Sequence, residues 1–141
     1  MFMAQDIKFA DIRVGDQGCL AKTVSEYDIY CFAGISGDFN PVHVNAEFAG
    51  RSMFKERIAH GMLSAAFISA VLGTVLPGAN TIYLSQELQF KAPVKIGDTV
   101  TATVEVLEKQ EEKKKLVLRT YCTNQAGKLV LDGKAVVLKA D

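Results

Sequence analysis

Between Ser36 and His43 the chain reads Ser-Gly-Asp-Phe-Asn-Pro-Val-His, which puts a carboxylate (Asp38), an amide (Asn40) and an imidazole (His43) within six residues. A carboxylate and an imidazole that close can share one water molecule and move its protons, which is general acid–base chemistry. Pro41 lacks a backbone donor and biases Asn40 away from helical geometry, so residues 38–43 are expected to form an open loop. The second of the two histidines, His60, opens the apolar run His60-Gly61-Met62-Leu63. A helix that starts there has unpaired N–H groups and the positive end of its dipole at Gly61. Glycine lets an oxygen approach closely, so Gly61 is a candidate backbone donor to developing negative charge. No side chain stands out as a nucleophile.

Each of these residues also has a plain structural reading. Gly-Asp and Asn-Pro pairs favour turns by themselves, so Asp38 can be a turn residue. A lone histidine such as His43 is most often satisfied structurally. His60 reads as a cap-like residue at a helix start, and Gly61 can serve close packing. Two histidines and an aspartate raise the question of a metal site, but the spacing lacks the i, i+4 helical pair, and no metal is expected.

The elements that must position these groups follow from periodicity. A weak strand is expected at about 17–24, after the turn signal Val14-Gly15-Asp16. Ser25 with Asp28 three residues later resembles a capping box, and Ile29, Phe32, Ala33 and Ile35 carry helical spacing, so a helix is expected over 26–35 with Gly37 ending it. Asn45 can cap a short helix over 46–49 that Gly50 ends. Residues 51–58 read as a surface excursion. From His60 to about Val75 the chain is apolar nearly all round, which predicts a helix buried on most faces, stopped by Pro77-Gly78. Strands are expected at 81–90, 99–106, 116–123 and 129–138, with turns at Ile96-Gly97-Asp98 and Asn124-Gln125-Ala126-Gly127. The layout is α+β, an antiparallel sheet curved around one long helix.

Composition narrows the function. The 141 residues suit one domain, and 16 acidic residues balance 16 basic ones, which argues against a nucleic-acid or anionic-membrane binder. The run Lys113-Lys114-Lys115 follows Glu111-Glu112 and reads as a solvated turn. The N-terminus shows no secretory pattern, and the longest apolar run, 62–76, falls short of a bilayer span. The three cysteines are widely spaced without a CxxC pair, so free buried thiols in a reducing compartment are expected, and a cytoplasmic protein.

The run Phe32-Ala33-Gly34-Ile35-Ser36-Gly37-Asp38-Phe39-Asn40-Pro41-Val42-His43 resembles the signature of the MaoC-like hot dog hydratases. His60-Gly61-Met62-Leu63, Leu88-Gln89-Phe90-Lys91-Ala92-Pro93-Val94 and Ile96-Gly97-Asp98 resemble that family at the matching places, so the likeness covers nearly the whole chain. Within the family it is most similar to the short (R)-specific enoyl-CoA hydratases, the type that feeds polyhydroxyalkanoate synthesis. The resemblance implies a hot dog fold over 1–141, a homodimer with a continuous sheet, and active sites at the subunit interface. It makes Asp38 and His43 the catalytic pair, leaving open which is base and which acid, and has Asn40 orient water or a neighbouring side chain. It points Ser69 into the pocket near the aspartate, although Ser69 reads equally as a small packing residue. Leu72, on the same helix face, could limit acyl length.

The implied reaction is reversible hydration of a trans-2-enoyl-CoA to the (R)-3-hydroxyacyl-CoA. No cofactor is required, because the thioester itself acidifies C2. Arg51, Lys55, Arg57 and Lys91 are candidates to meet the phosphates of coenzyme A. Alternatives are a 3-hydroxyacyl-[acyl-carrier-protein] dehydratase and a non-catalytic acyl-thioester-binding subunit, though the latter could dispense with Asp38 and His43. A thioesterase on a similar fold would commonly place an acid on the central helix, and residues 61–75 contain none.

Overall fold

The computed structural model describes residues 3–141. Strand β1 (Gln17–Thr23) leads into helix α1 (Glu26–Ser36). The helix begins where expected because Ser25 and Asp28 form a reciprocal capping box: each side chain accepts from the other's backbone N–H. Gly37 closes it with φ +79°, a left-handed conformation that costs glycine little. The Ser36 hydroxyl then donates to the Phe32 carbonyl at 2.7 Å and accepts from the Asp38 N–H at 3.1 Å, which fixes where the chain leaves the helix.

The expected loop over 38–43 is shorter than its composition suggested. Pro41–Val44 forms a one-turn helix, α2. The Asn40 side-chain oxygen accepts from the Val42 N–H at 3.2 Å, and Pro41 occupies the first helical position, where a missing donor costs nothing. The proline therefore starts a helix here. Asn45 caps α3 (Ala46–Arg51), accepting from the Phe48 N–H at 3.0 Å. That helix runs one residue past Gly50.

Helix α4 (Gly61–Thr74) is the central element and touches β1 and all four strands that follow. Leu63, Ser64, Ile68, Val71 and Leu72 are buried against the sheet. It is not buried on most faces, however. Met62, Ala66, Ser69, Ala70 and Gly73 form an exposed stripe, because the sheet curves around only one side of the helix. A cis Leu76–Pro77 bond and Gly78, at φ +92°, follow its end.

The remaining strands are β2 (Thr81–Phe90), β3 (Thr99–Gln110), β4 (Lys115–Thr123) and β5 (Leu129–Lys139). They assemble as one antiparallel sheet in the order β1-β3-β4-β5-β2. Strands β3 and β4 alternate buried and half-buried residues, with Val100, Ala102, Val104 and Val106 facing Leu116, Leu118, Thr120 and Cys122 across the core side. Strand β3 outlasts its expected end at 106, because a bulge between Val106 and Glu108 takes up the break in alternation. One hydrophobic cluster draws Phe9, Ile29, Ile68, Leu72, Leu118 and Val137 together. An antiparallel sheet of this order curved around one helix is the hot dog fold. Of the three cysteines only Cys122 is buried. Cys31 is half-buried, and Cys19 is exposed on edge strand β1, so the expectation of three buried thiols fails for two of them.

Candidate active site

Helix α2 carries His43 into a nearly dry position, 8% exposed. Its Nδ1 lies 2.7 Å from the Ile58 carbonyl oxygen. A carbonyl can only accept, so Nδ1 carries the proton, and the neutral ring presents its lone pair at Nε2. Burial holds the His43 pKa below its ordinary value, and the neighbouring His60 acts in the same direction. The Ile58 carbonyl and Asp38 oppose them without reversing the sign. The site thus holds an oriented imidazole able to accept a proton at neutral pH.

Asp38 is exposed on the loop before α2, and its Oδ1 accepts from the Asn40 N–H at 3.1 Å. The side-chain oxygen of Asn40 is committed to capping α2, while its amide nitrogen has no acceptor among the described residues. His60 joins these residues from a point 22 positions away: its Nε2 donates to the Asp38 carbonyl oxygen at 2.9 Å. Its ring stacks on that of His43, with centroids 3.9 Å apart and planes 29° from parallel. His60 occupies the N-cap position of α4 as expected, but its side chain makes no cap hydrogen bond and turns to Asp38 and His43 instead.

Donor atoms of Asp38, His43 and His60 all lie within 4.8 Å of one another. His43 Nδ1 and His60 Nε2 are both taken by carbonyl oxygens. The arrangement suits proton transfer better than ion binding.

Gly61 is the first residue of α4, and its N–H has no hydrogen-bond acceptor among the described residues. It lies in the wall of a cavity of about 500 Å³, lined also by Phe54, Ile58, Met62, Phe90 and Leu131. Ile58 joins the two halves of the site, since it lines this cavity while its carbonyl holds His43. Phe54 and Ile58 come from the stretch read as a surface excursion. Neither shows a periodic signal in the sequence, and only the folded path brings them under α4.

The structure therefore gathers Asp38, Asn40, His43 and, through the adjoining His60, Gly61. Ser69 and Leu72 lie elsewhere in the single chain. Ser69 is on the exposed stripe of α4, about 12 Å along the helix from Gly61 at 1.5 Å per residue. Leu72 is packed in the core. Neither lines the cavity. Among the basic candidates, Arg57 is committed to Glu26 and, at 2.9 Å, to Tyr30, and Arg51 sits 4.0 Å from Glu47. Lys91 lines the cavity and donates to Gln89 at 2.7 Å. Among the described residues no helix is long and apolar enough to cross a membrane.

Residues 16–126 match the family described as MaoC like domain. An (R)-specific enoyl-CoA hydratase of Rhodospirillum rubrum is 61% identical over 130 residues, covering 92% of this chain and 90% of that one. Among solved structures, an R-hydratase from Pseudomonas aeruginosa in the unliganded form superposes with a TM-score of 0.93 at 48% identity, covering 98% of this chain and 88% of that one. An (R)-hydratase from A. caviae involved in PHA biosynthesis gives a TM-score of 0.89 at 43% identity, covering 92% of this chain and 98% of the other.

Proposed function

The chain belongs to the MaoC-like domain family, and from that membership we propose that it is an (R)-specific enoyl-CoA hydratase, a hydro-lyase that reversibly adds water to a trans-2-enoyl-CoA. One observation carries the reading. A neutral, oriented His43 and the Asp38 carboxylate cluster with His60, the neighbour in sequence of Gly61, whose unpaired N–H borders an apolar cavity of about 500 Å³.

Each part has a task. Asp38 and the Nε2 of His43 hold one water between them. As the water oxygen bonds to C3, His43 accepts a proton from it, and electron density moves through C2 onto the thioester oxygen. The Gly61 N–H stabilises that oxygen as it becomes enolate-like. The proton held at Nε2 then passes to C2, the thioester carbonyl is restored, and both side chains return to their starting states. Asn40 keeps the loop in register and offers its amide to the water. The acyl chain lies along the cavity walls, and Lys91 meets a coenzyme A phosphate. The (R) configuration follows the activity of the relatives, as does the use of the product in PHA biosynthesis.

We further propose a homodimer. Among the described residues the β2 edge of the sheet has no neighbour on one side, and the stripe on α4 that carries Ser69 is open. A second copy covering both would bring Ser69 into an interface site.

The test is the loss of enoyl absorbance from crotonyl-CoA on addition of the purified chain, with chiral analysis of the product. The wild type forms the (R)-alcohol, and Asp38→Asn lowers the rate by about 10²–10⁴-fold while remaining folded. A folded wild type that leaves short, medium and carrier-protein-linked enoyl thioesters unchanged rules the reading out.

A further inference from the structure

His60 is the most buried polar group of the site, only 2% exposed, and the reaction as described does not use it. Burying an imidazole is unfavourable unless its nitrogens are satisfied, yet His60 Nδ1 is buried with no hydrogen-bond partner among the described residues. A leucine or phenylalanine would fill the same space without that penalty. What the imidazole adds is one donor and one flat face, and both point at the catalytic pair.

The donor is Nε2. It reaches the backbone carbonyl of Asp38 at 2.9 Å, across 22 residues of sequence. Asp38 stands on a short exposed loop whose other hydrogen bonds among the described residues are local, to Ser36 and Asn40 and from Phe39 to Gly37. The bond from His60 is thus the tie between that loop and the start of α4, where Gly61 lies. The face is the ring, 3.9 Å from the ring of His43, with Phe32 packed against it at 4.8 Å. His43 is already pinned at Nδ1 by Ile58, and a bond at one nitrogen still leaves the ring free to tilt about it. The stack removes that freedom and aims Nε2.

We propose that His60 is a positioning residue, setting the distance between the Asp38 carboxylate and His43 Nε2 through one hydrogen bond and one stacked ring. This rests on the hydratase reading of the same site. His60 touches no reacting atom; it holds the loop carrying the carboxylate and the plane of the imidazole at one fixed spacing from Gly61. A misplacement of about 1 Å in such a pair can cost about 10²-fold in rate.

The test separates the donor from the ring. His60→Phe keeps a flat ring and loses the donor. His60→Gln puts an amide N–H at the level of Nε2 and loses the ring. On crotonyl-CoA, His60→Phe lowers kcat by about 10–100-fold with KM within about threefold, the pattern of lost transition-state alignment. His60→Gln recovers at least about tenfold of that loss. A folded His60→Phe with wild-type kcat, or a His60→Gln no better than His60→Phe, overturns the proposal. Nitrogen-15 NMR of the wild type needs no variant: His60 is the Nε2–H tautomer with a bare Nδ1, and the opposite tautomer also overturns it. If the wild type itself is inert on every enoyl thioester, the hydratase reading fails, whereas the tautomer can still be read.

Discussion

Phe90 lies so close to Gly61 that a methyl group on that glycine would stand 2.6 Å from two carbons of the ring. Contacts that short are repulsive, so the pair fits only because residue 61 has no side chain. The contact also places the end of β2 over the first turn of α4, beside the unpaired N–H. In a Phe90→Ala background the clash is gone, and Gly61→Ala should match that parent. Gly61→Pro in the same background keeps the helix, because proline is tolerated at the first helical position, but deletes the N–H. Its kcat should fall by about 10²–10³-fold relative to the parent. Equal rates for the alanine and proline variants would remove the backbone donor from the mechanism.

The pH profile should report His43. Its neutral form accepts the proton, and burial lowers its pKa in the folded chain. The acid limb of kcat/KM should therefore lie below the ordinary histidine value of about 6.5, and His43→Gln should lack that limb. Stability carries the same sign. The unfolded chain takes up a proton at this residue before the folded one does, so folding is favoured above the unfolded value and loses that support as pH falls through the folded one. The melting temperature of the wild type should drop more than that of His43→Gln between about pH 7.5 and about pH 5. Parallel curves would mean that the imidazole is not buried in solution.

The open edge of β2 leads to a statement about assembly. Ile82 is 52% exposed and Leu84 45%, on a strand that among the described residues pairs with β5 alone. Unpaired apolar edges recruit further strands. Analytical ultracentrifugation should give twice the monomer mass for the wild type, and Leu84→Glu should shift it to monomer with loss of activity. A wild type that sediments as a monomer and is fully active would show that one chain suffices.

The thiols should separate by chemistry. Burial pushes the Cys122 thiol up to about 12, and its sulfur is directed at the Ser64 carbonyl inside the core. Cys19 is exposed. Native protein titrated with a disulfide reagent should label Cys19 quickly and Cys122 only on denaturation. Rapid labelling of Cys122 would show that the sheet opens around α4.

Local signals made much of this fold legible. Ser25 and Asp28 form the capping box that their spacing announces, Gly37 takes the left-handed turn that ends α1, and the period-two runs lie on β3, β4 and β5. Pro41 was misleading because a proline both breaks and begins helices, and the oxygen of Asn40 decides which. Residues 54 and 58 were not legible as cavity walls, since their neighbours across the cavity, Phe90 and Leu131, are far off in sequence. The place of His60 was hidden for the same reason: no spacing rule links it to a carbonyl 22 residues earlier. Ser69 and Leu72, three residues apart, were read as one helical face, yet Ser69 is exposed and Leu72 lies in the core; the sheet's edge along α4 divides them, and helical spacing alone does not show where that edge falls.

Three polar anchors of the site belong to the main chain: the Ile58 carbonyl that fixes the tautomer of His43, the Asp38 carbonyl that receives His60, and the N–H of Gly61. Side-chain replacement leaves a carbonyl in place. Residue 58 can thus be exchanged among aliphatic types, altering the shape of the cavity, while the same backbone oxygen goes on selecting the same tautomer. Cavity shape and the tautomer of His43 depend on different atoms of the same residue. Point changes at 54, 58 or 62 should therefore reshape the cavity while the hydrogen bond that orients His43 stays in place.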